Sequence, residues 1–365
     1  QNTLIGGLAG DAITDANNNI AIGYLALTTE TSGGNNVAIG VTALQQSNGG
    51  TYNVAIGRDS GQQVTTGSQN VLLGGNAGDA LTTGVSNVAI GYLALSAEDT
   101  GQRNIAIGQR ALTNQNYDGA AYNIAIGHDA AKQVTTGIDN VIIGGLAGDA
   151  LTVGENNTVV GRSALGACVD GDNNVAVGRN ALLVYEGGDG EGGNVGVGRD
   201  AGKALSTGQL NTILGHLAGD AITTGSGNTI IGRSAAASAV DVNNEITLGD
   251  SNITALRCQV TSISSLSDKR DKKDIKNSTY GLDFVDSLKP VTFEWDQRDG
   301  NRSGVKDVGF IAQDLQEVDD EYTRLVYESN PDKLEATYGR LIPIMAKAIQ
   351  ELSAEVKELK KQING

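Results

Sequence analysis

A short alternating unit recurs along the first 250 positions. It reads Asn, apolar, small, apolar, Gly: NVAIG at 36–40, 53–57 and 87–91, NIAIG at 104–108 and NVAVG at 174–178. Alternation with period two predicts a strand of a few residues, with Val37 and Ile39 on one face and Ala38 on the other. The closing glycines form a series: Gly6, Gly23, Gly40, Gly57, Gly74, Gly91, Gly108, Gly127, Gly144, Gly161, Gly178, Gly198, Gly215, Gly232 and Gly249. The step is 17 residues, except for 19 after Gly108 and 20 after Gly178. Asn stands four residues before the glycine in fourteen of the fifteen units, with Glu245 the exception. Seventeen residues are too few for a strand–helix–strand step. They fit one rung of a parallel β-roll or β-solenoid, with rungs about 4.8 Å apart and a rod on the order of 70 Å long. Gly and Asn suit the corners because they tolerate positive φ, and Asn repeated at one position predicts a side-chain ladder.

A second period of four rungs overlies the first. GLAGDA (7–12), GNAGDA (75–80), GLAGDA (145–150) and HLAGDA (216–221) mark every fourth rung. Both length exceptions fall in the loop after the third rung, at 113–123 and 183–194; the corresponding 45–53 loop is shorter. Insertions collect on an exposed face, so loops 113–122 and 183–193 are expected to point outward. Their residues Tyr117, Tyr122, Tyr185, Asp189 and Glu191 are the candidate receptor contacts. Tolerated surface loops are the competing reading. A thin roll has little interior, and its Ala/Gly-rich face needs a cover, which a homotrimer supplies.

From Ser251 onward the pattern changes. All three Pro, all three Phe, Trp295 and Met345 lie beyond this point. Mixed strand and helix periods predict a small α+β domain at 267–365, joined to the 1–250 rod by a 251–266 connector. Ile349, Leu352, Val356, Leu359 and Ile363 are spaced 3, 4, 3, 4, a heptad seam for a three-stranded coiled coil. An amphipathic helix packed on its own domain would give the same spacing.

Composition narrows the function. The 365 residues include 51 Gly and carry a net charge of −16, and aromatics make up 4%. A conventional enzyme core needs more large side chains. An acidic chain without a basic stripe excludes nucleic acid as the expected partner, and no apolar run is long enough for membrane insertion. Cys168 and Cys258 form no disulfide framework and read as reduced thiols. The chain opens at Gln1 without a signal peptide, as a fragment or processed product would. His128 and His216 lie in different rungs, and carboxylate pairs such as Asp170 with Asp172 read as solvated turns, so no metal and no cofactor are expected.

Two resemblances add to this reading. The NVAIG units resemble the head repeats of trimeric autotransporter adhesins, over about residues 1–250, which implies a three-chain β-roll. The segments SDKRDK (267–272), GLDFVDSLKPVTFEW (281–295), VGFIAQDLQEV (308–318) and YGRLIPIMAKAIQEL (338–352) are similar to the intramolecular chaperone of phage tailspikes and tail fibres, the peptidase S74 family. That resemblance implies a domain that trimerises, templates folding of an upstream rod and cuts itself off. It implies cleavage between Leu266 and Ser267, with Ser267 as nucleophile, Lys272 as its base partner, and Asp268 and Arg270 holding the loop. A Ser hydroxyl needs a neighbouring base, and the crowded cations Lys269, Arg270 and Lys273 favour a neutral amine at Lys272. Whether the chain is an enzyme stays open; a single-turnover Ser/Lys self-cleavage is the candidate activity.

The expectation is therefore a mainly β protein, a trimeric parallel β-roll followed by a small α+β chaperone domain ending in a coiled-coil helix. It would serve as a phage tail fibre or tailspike rod in the virion, assembled in the host cytoplasm. It would meet a host cell-surface receptor, a glycan or an outer-membrane component. A bacterial trimeric adhesin with a borrowed chaperone domain is the alternative, as is the distal part of a fibre whose enzymatic domain lies upstream.

Overall fold

The computed structural model describes residues 1–187, 192–253, 255–257, 259, 267–297, 303–330 and 332–364. The chain divides into two compact units, Gln1–Asp250 and Ser251–Gly365.

The first unit is a parallel β-solenoid. Fifteen strands of three residues, from β1 (Thr3–Ile5) to β15 (Ile246–Leu248), form one sheet in strict sequence order. Every pairing is parallel and in register, as Val37 with Val54 and Ile39 with Ile56 illustrate. The repeat glycine fixes the corner. Gly40 has φ +139°, and a Cβ there would lie 2.3 Å from the carbonyl oxygen of Gly57 on the next rung. Only glycine allows that approach.

The asparagine ladder forms inside the coil. Asn53 donates its backbone N–H to Asn36 Oδ1 at 2.9 Å, and its Nδ2 to Gly67 O at 2.9 Å. Asn70 repeats both contacts one rung on, at 3.0 and 2.8 Å. These side chains are buried. A buried carboxamide is tolerated because its donors and acceptor are occupied, each bond contributing about 1 kcal/mol.

The interior also explains the four-rung period. In the GDA rungs the strand centre is large and the turn opposite is glycine. Gly78 Cβ would meet Leu72 Cδ2 at 2.8 Å, and Gly148 Cβ would meet Ile142 Cδ1 at 3.1 Å. In the next two rungs of the first two blocks the strand centre is Ala and the turn supplies Leu, as Ala89 with Leu95 and Ala106 with Leu112, all fully buried; in the third block Val159 replaces the first Ala. These rungs fill one narrow interior by exchanging volume between their two sides, and the fourth rung, small on both sides as Ala55 with Gly61, is filled by Leu72 and Leu44 of its neighbours.

One expectation is corrected here. The small face needs no outside cover, because Ala21, Ala38, Ala55 and Ala89 are fully buried by their own coil. Val37 and Ile39 and their equivalents instead point out of the roll and remain half-buried or exposed. The open face of the sheet is therefore two apolar stripes running the length of the rod.

The second unit holds α1 (Leu282–Ser287), the antiparallel pair β16 (Val291–Glu294) and β17 (Lys306–Gly309), and α2 (Ala312–Gln316). A second short pair, β18 (Val326–Tyr327) and β19 (Glu335–Ala336), precedes the 24-residue α3 (Leu341–Asn364). Leu315, Leu325, Val326, Leu341 and Ile344 form its core, with Phe284, Val285 and Phe310 packed against them. Glu351 on α3 accepts the backbone N–H of Leu282 at 2.7 Å and so caps α1. The buried residues of α3 are Leu341, Ile344 and Ala348, in its first turns. The heptad seam lies elsewhere and begins earlier than the sequence spacing indicated. Ile342, Met345, Ile349, Leu352, Val356, Leu359 and Ile363 are 41–80% exposed. No helix among the described residues is long and apolar enough to cross a membrane.

Candidate functional site

Ser267 and Lys272 are brought together by one tight turn. Residues Lys269–Asp271 form a 3-10 turn, closed by Asp271 N–H to Asp268 O and Lys272 N–H to Lys269 O, each 3.2 Å. Asp268 caps it, accepting the Arg270 backbone N–H at 2.8 Å. The Arg270 guanidinium folds back on the same carboxylate, Nε to Oδ1 at 3.1 Å and Nη2 to Oδ2 at 2.6 Å. That fork holds the Asp268 carboxyl below the usual carboxylate range. The turn reverses the chain, and Lys272 Nζ lies 2.5 Å from Ser267 Oγ. A nucleophile and an amine at hydrogen-bond distance are the minimum for base-assisted attack. Both side chains are exposed in the single chain. Leu266, on the other side of the expected cleavage point, lies outside the described residues.

The rod loops are less uniform than expected. Tyr122 is exposed; Arg103 Nη1 donates to its hydroxyl at 3.0 Å and lies over its ring, 5.5 Å from the centroid. Tyr117 is half-buried, and its backbone N–H points to Glu98 Oε2 at 3.4 Å. Tyr185 corrects the expectation of an outward side chain: it is fully buried and stacks in the rod interior. Asp189 and Glu191 lie outside the described residues.

Tyr185 belongs to a column that sequence reasoning missed. Seven residues after the repeat glycine, from Gly23 to Gly215, stands a buried side chain. Most are apolar, as Val64, Leu81, Val134 and Leu151. In the second and third rungs of each block they are not: Glu30 with Ser47, Glu98 with Gln115, Cys168 with Tyr185. Glu30 accepts Gly33 N–H at 2.5 Å, Gly49 N–H at 2.8 Å and Ser47 Oγ–H at 2.8 Å. Glu98 accepts Gly101 N–H at 2.8 Å, and burial pushes its carboxyl up to about 7. Burial likewise pushes the Cys168 thiol up to about 12. The loop covering each pair lengthens with its buried residue: step 17 over Ser47, 19 over Gln115, 20 over Tyr185. Alignment of the repeats on their glycines would have exposed this column.

Comparisons with known proteins place a family match in the second unit. A family model described as chaperone of endosialidase, peptidase S74, matches residues 267–326. That segment begins at Ser267 and contains the Ser267–Lys272 turn. The long tail fiber protein Gp37 of Enterobacteria phage M1 is 37% identical over 93 residues, covering 25% of this chain and 36% of that protein. Long tail fiber protein Gp37 of Enterobacteria phage Ox2 matches to the same extent. The chain thus spans about a third of the length of these curated relatives.

Proposed function

We propose that this chain is a phage tail-fibre rod, a virion component that meets the host surface, folded by a C-terminal intramolecular chaperone. The observation that carries it is the union of an in-register β-solenoid with a segment matching the chaperone-of-endosialidase model. Relatives bearing the name of long tail fibre proteins support the same reading. The working form is a homotrimer assembled in the host cytoplasm, and its receptor is a surface glycan or outer-membrane component. Two apolar surfaces support three chains: the outward Val/Ile stripes of the sheet and the exposed heptad seam of α3. Isolated rods with such stripes would aggregate, so a template that pairs them in register is physically required.

Self-release follows from the Ser267–Lys272 pair. Ser267 Oγ adds to the carbonyl carbon of residue 266 while unprotonated Lys272 takes the hydroxyl proton. The carbon–nitrogen bond then breaks, and Lys272 returns the proton to the Ser267 nitrogen. The resulting ester is hydrolysed by water, leaving a carboxylate at residue 266 and a chain that begins at Ser267. The pair is open to water in one chain, so the reaction waits for trimer packing to enclose it. Light scattering of the purified chain should give three times the 37.5 kDa protomer mass before cutting. Mass spectrometry should then find a fragment beginning at Ser267, lost in Ser267→Ala and strongly slowed in Lys272→Ala. A stable monomer overturns the trimer. An intact chain after long incubation overturns the self-cleavage.

A further inference from the structure

Four arginines and a histidine stack on consecutive rungs near the C-terminal end of the rod. Arg162, Arg179, Arg199, His216 and Arg233 each directly follow a repeat glycine, and all five are exposed. The backbone locks them in line. Asn180 N–H donates to Arg162 O at 3.1 Å, Asp200 N–H to Arg179 O at 2.9 Å, Leu217 N–H to Arg199 O at 3.0 Å and Ser234 N–H to His216 O at 2.9 Å. At a rung spacing of about 4.8 Å the column extends about 19 Å along the rod. The linear sequence hides this basic stripe, because its members lie 17 or 20 residues apart.

The stripe works against the stability of the free protein. Neighbouring guanidinium charges at this spacing repel by about 1 kcal/mol even in water. The unit has 9 basic and 22 acidic residues, yet five of the nine stand in this column, four of them in the stack. Arg199 is paired with Asp200 at 2.9 Å. Arg162, Arg179 and Arg233 make no ion pair among the described residues. Earlier rungs carry Gly75, Tyr92, Gln109 and Gly145 in the same column, with Arg58 and His128 isolated among them, and Asp250 follows Arg233, so consecutive arginines are confined to this stretch.

We infer that this column binds a linear acidic polysaccharide lying along the rod axis. A row of planar forks at regular spacing matches carboxylates repeated along a glycan, with each guanidinium able to take one carboxylate in bidentate fashion. The net negative field of the unit opposes nucleic acid, whose charge density is far higher. The inference rests on the surface-attachment reading and names the receptor chemistry and its site.

The test uses the full chain, with polygalacturonate as the acidic probe and dextran and duplex DNA as controls. Wild type should bind polygalacturonate but not dextran or DNA, and added salt should weaken the binding. The variant R162Q/R179Q/R233Q should bind about tenfold more weakly, while R58Q, in the same column but outside the stack, should match wild type. Equal binding by the triple variant overturns the inference, as does preference for duplex DNA. Loss of the trimer in the triple variant also overturns it, because the arginines would then serve a subunit contact. Adsorption to host cells separates the two readings. Cells taking up wild type and triple variant alike reject the column and leave attachment standing. Polygalacturonate binding through the column without adsorption to any cell supports the column and rejects attachment.

Discussion

Glu98 shows how one buried carboxyl shapes the behaviour of its rung. Its folded value, about 7, lies above the ordinary 4.5, chiefly because burial penalises the charged form. The folded chain therefore holds the proton more tightly than the unfolded chain. Its contribution to stability is greatest below pH 4.5 and falls as pH rises through about 7, by about 3 kcal/mol in all. Glu98→Gln removes the charge and keeps the acceptor facing Gly101 N–H. Thermal unfolding at one scan rate should then show wild type losing stability between pH 5 and pH 8, with the variant nearly flat. A parallel loss in both would assign the pH dependence to other groups. The pair partners carry a warning for receptor mapping. Tyr185 was plausible as a contact because it sits in the longest loop, but that loop is long because it must pass over a buried phenol ring.

Among the elements, α3 divides its work by face. Leu341, Ile344 and Ala348 anchor it to its own unit, while Ile349 and Leu352 lie on the exposed seam. Ile349→Asp with Leu352→Asp should leave the anchoring face intact and abolish association. Light scattering should report monomer, while circular dichroism should retain much of the helix in the first turns. Persistence of a trimer would shift the burden to the stripes of the sheet. Much of this scale was legible beforehand. The glycine period placed all fifteen strands, fourteen of them with the spacing Asn–x–x–x–Gly, because register in a solenoid is written directly in the period. The seam from Ile349 onward was equally plain. The sidedness of Ala38 and Val37 was not, since alternation assigns two faces without saying which one the coil encloses. Ala and Gly fit the narrow interior, so the larger β-branched residues were left outside. Within the motif segment, Ser267 and Lys272 came from the family resemblance; residue types alone read as a charged linker. The role of Asp268 as the cap of the turn that joins them needed coordinates.

For the whole molecule, the order of folding matters more than the final energy. Parallel in-register stacking closes slowly and exposes apolar stripes until partners arrive. A gene truncated before residue 267 should therefore yield aggregated rods, detectable as loss of soluble protein on sedimentation. The Ser267→Ala protein should instead be soluble and joined to its template. Soluble, correctly sized rods from the truncated gene would show that residues 267–365 are dispensable for assembly. Once cut, the rod should persist by a slow unfolding rate, since refolding would lack the template.

The exchange of volume across the rod interior has a genetic consequence. A rung with Leu72 at its strand centre stacks between rungs centred on Ala55 and Ala89, so loss of a single rung changes which volumes meet across the interior. Removal or duplication of a complete block, such as residues 74–143, keeps the order of rung types. Rod length then changes most readily in quanta of four rungs, about 19 Å each. Recombination between blocks becomes a ruler: it resets how far the tip stands from its base without redesigning a single interface.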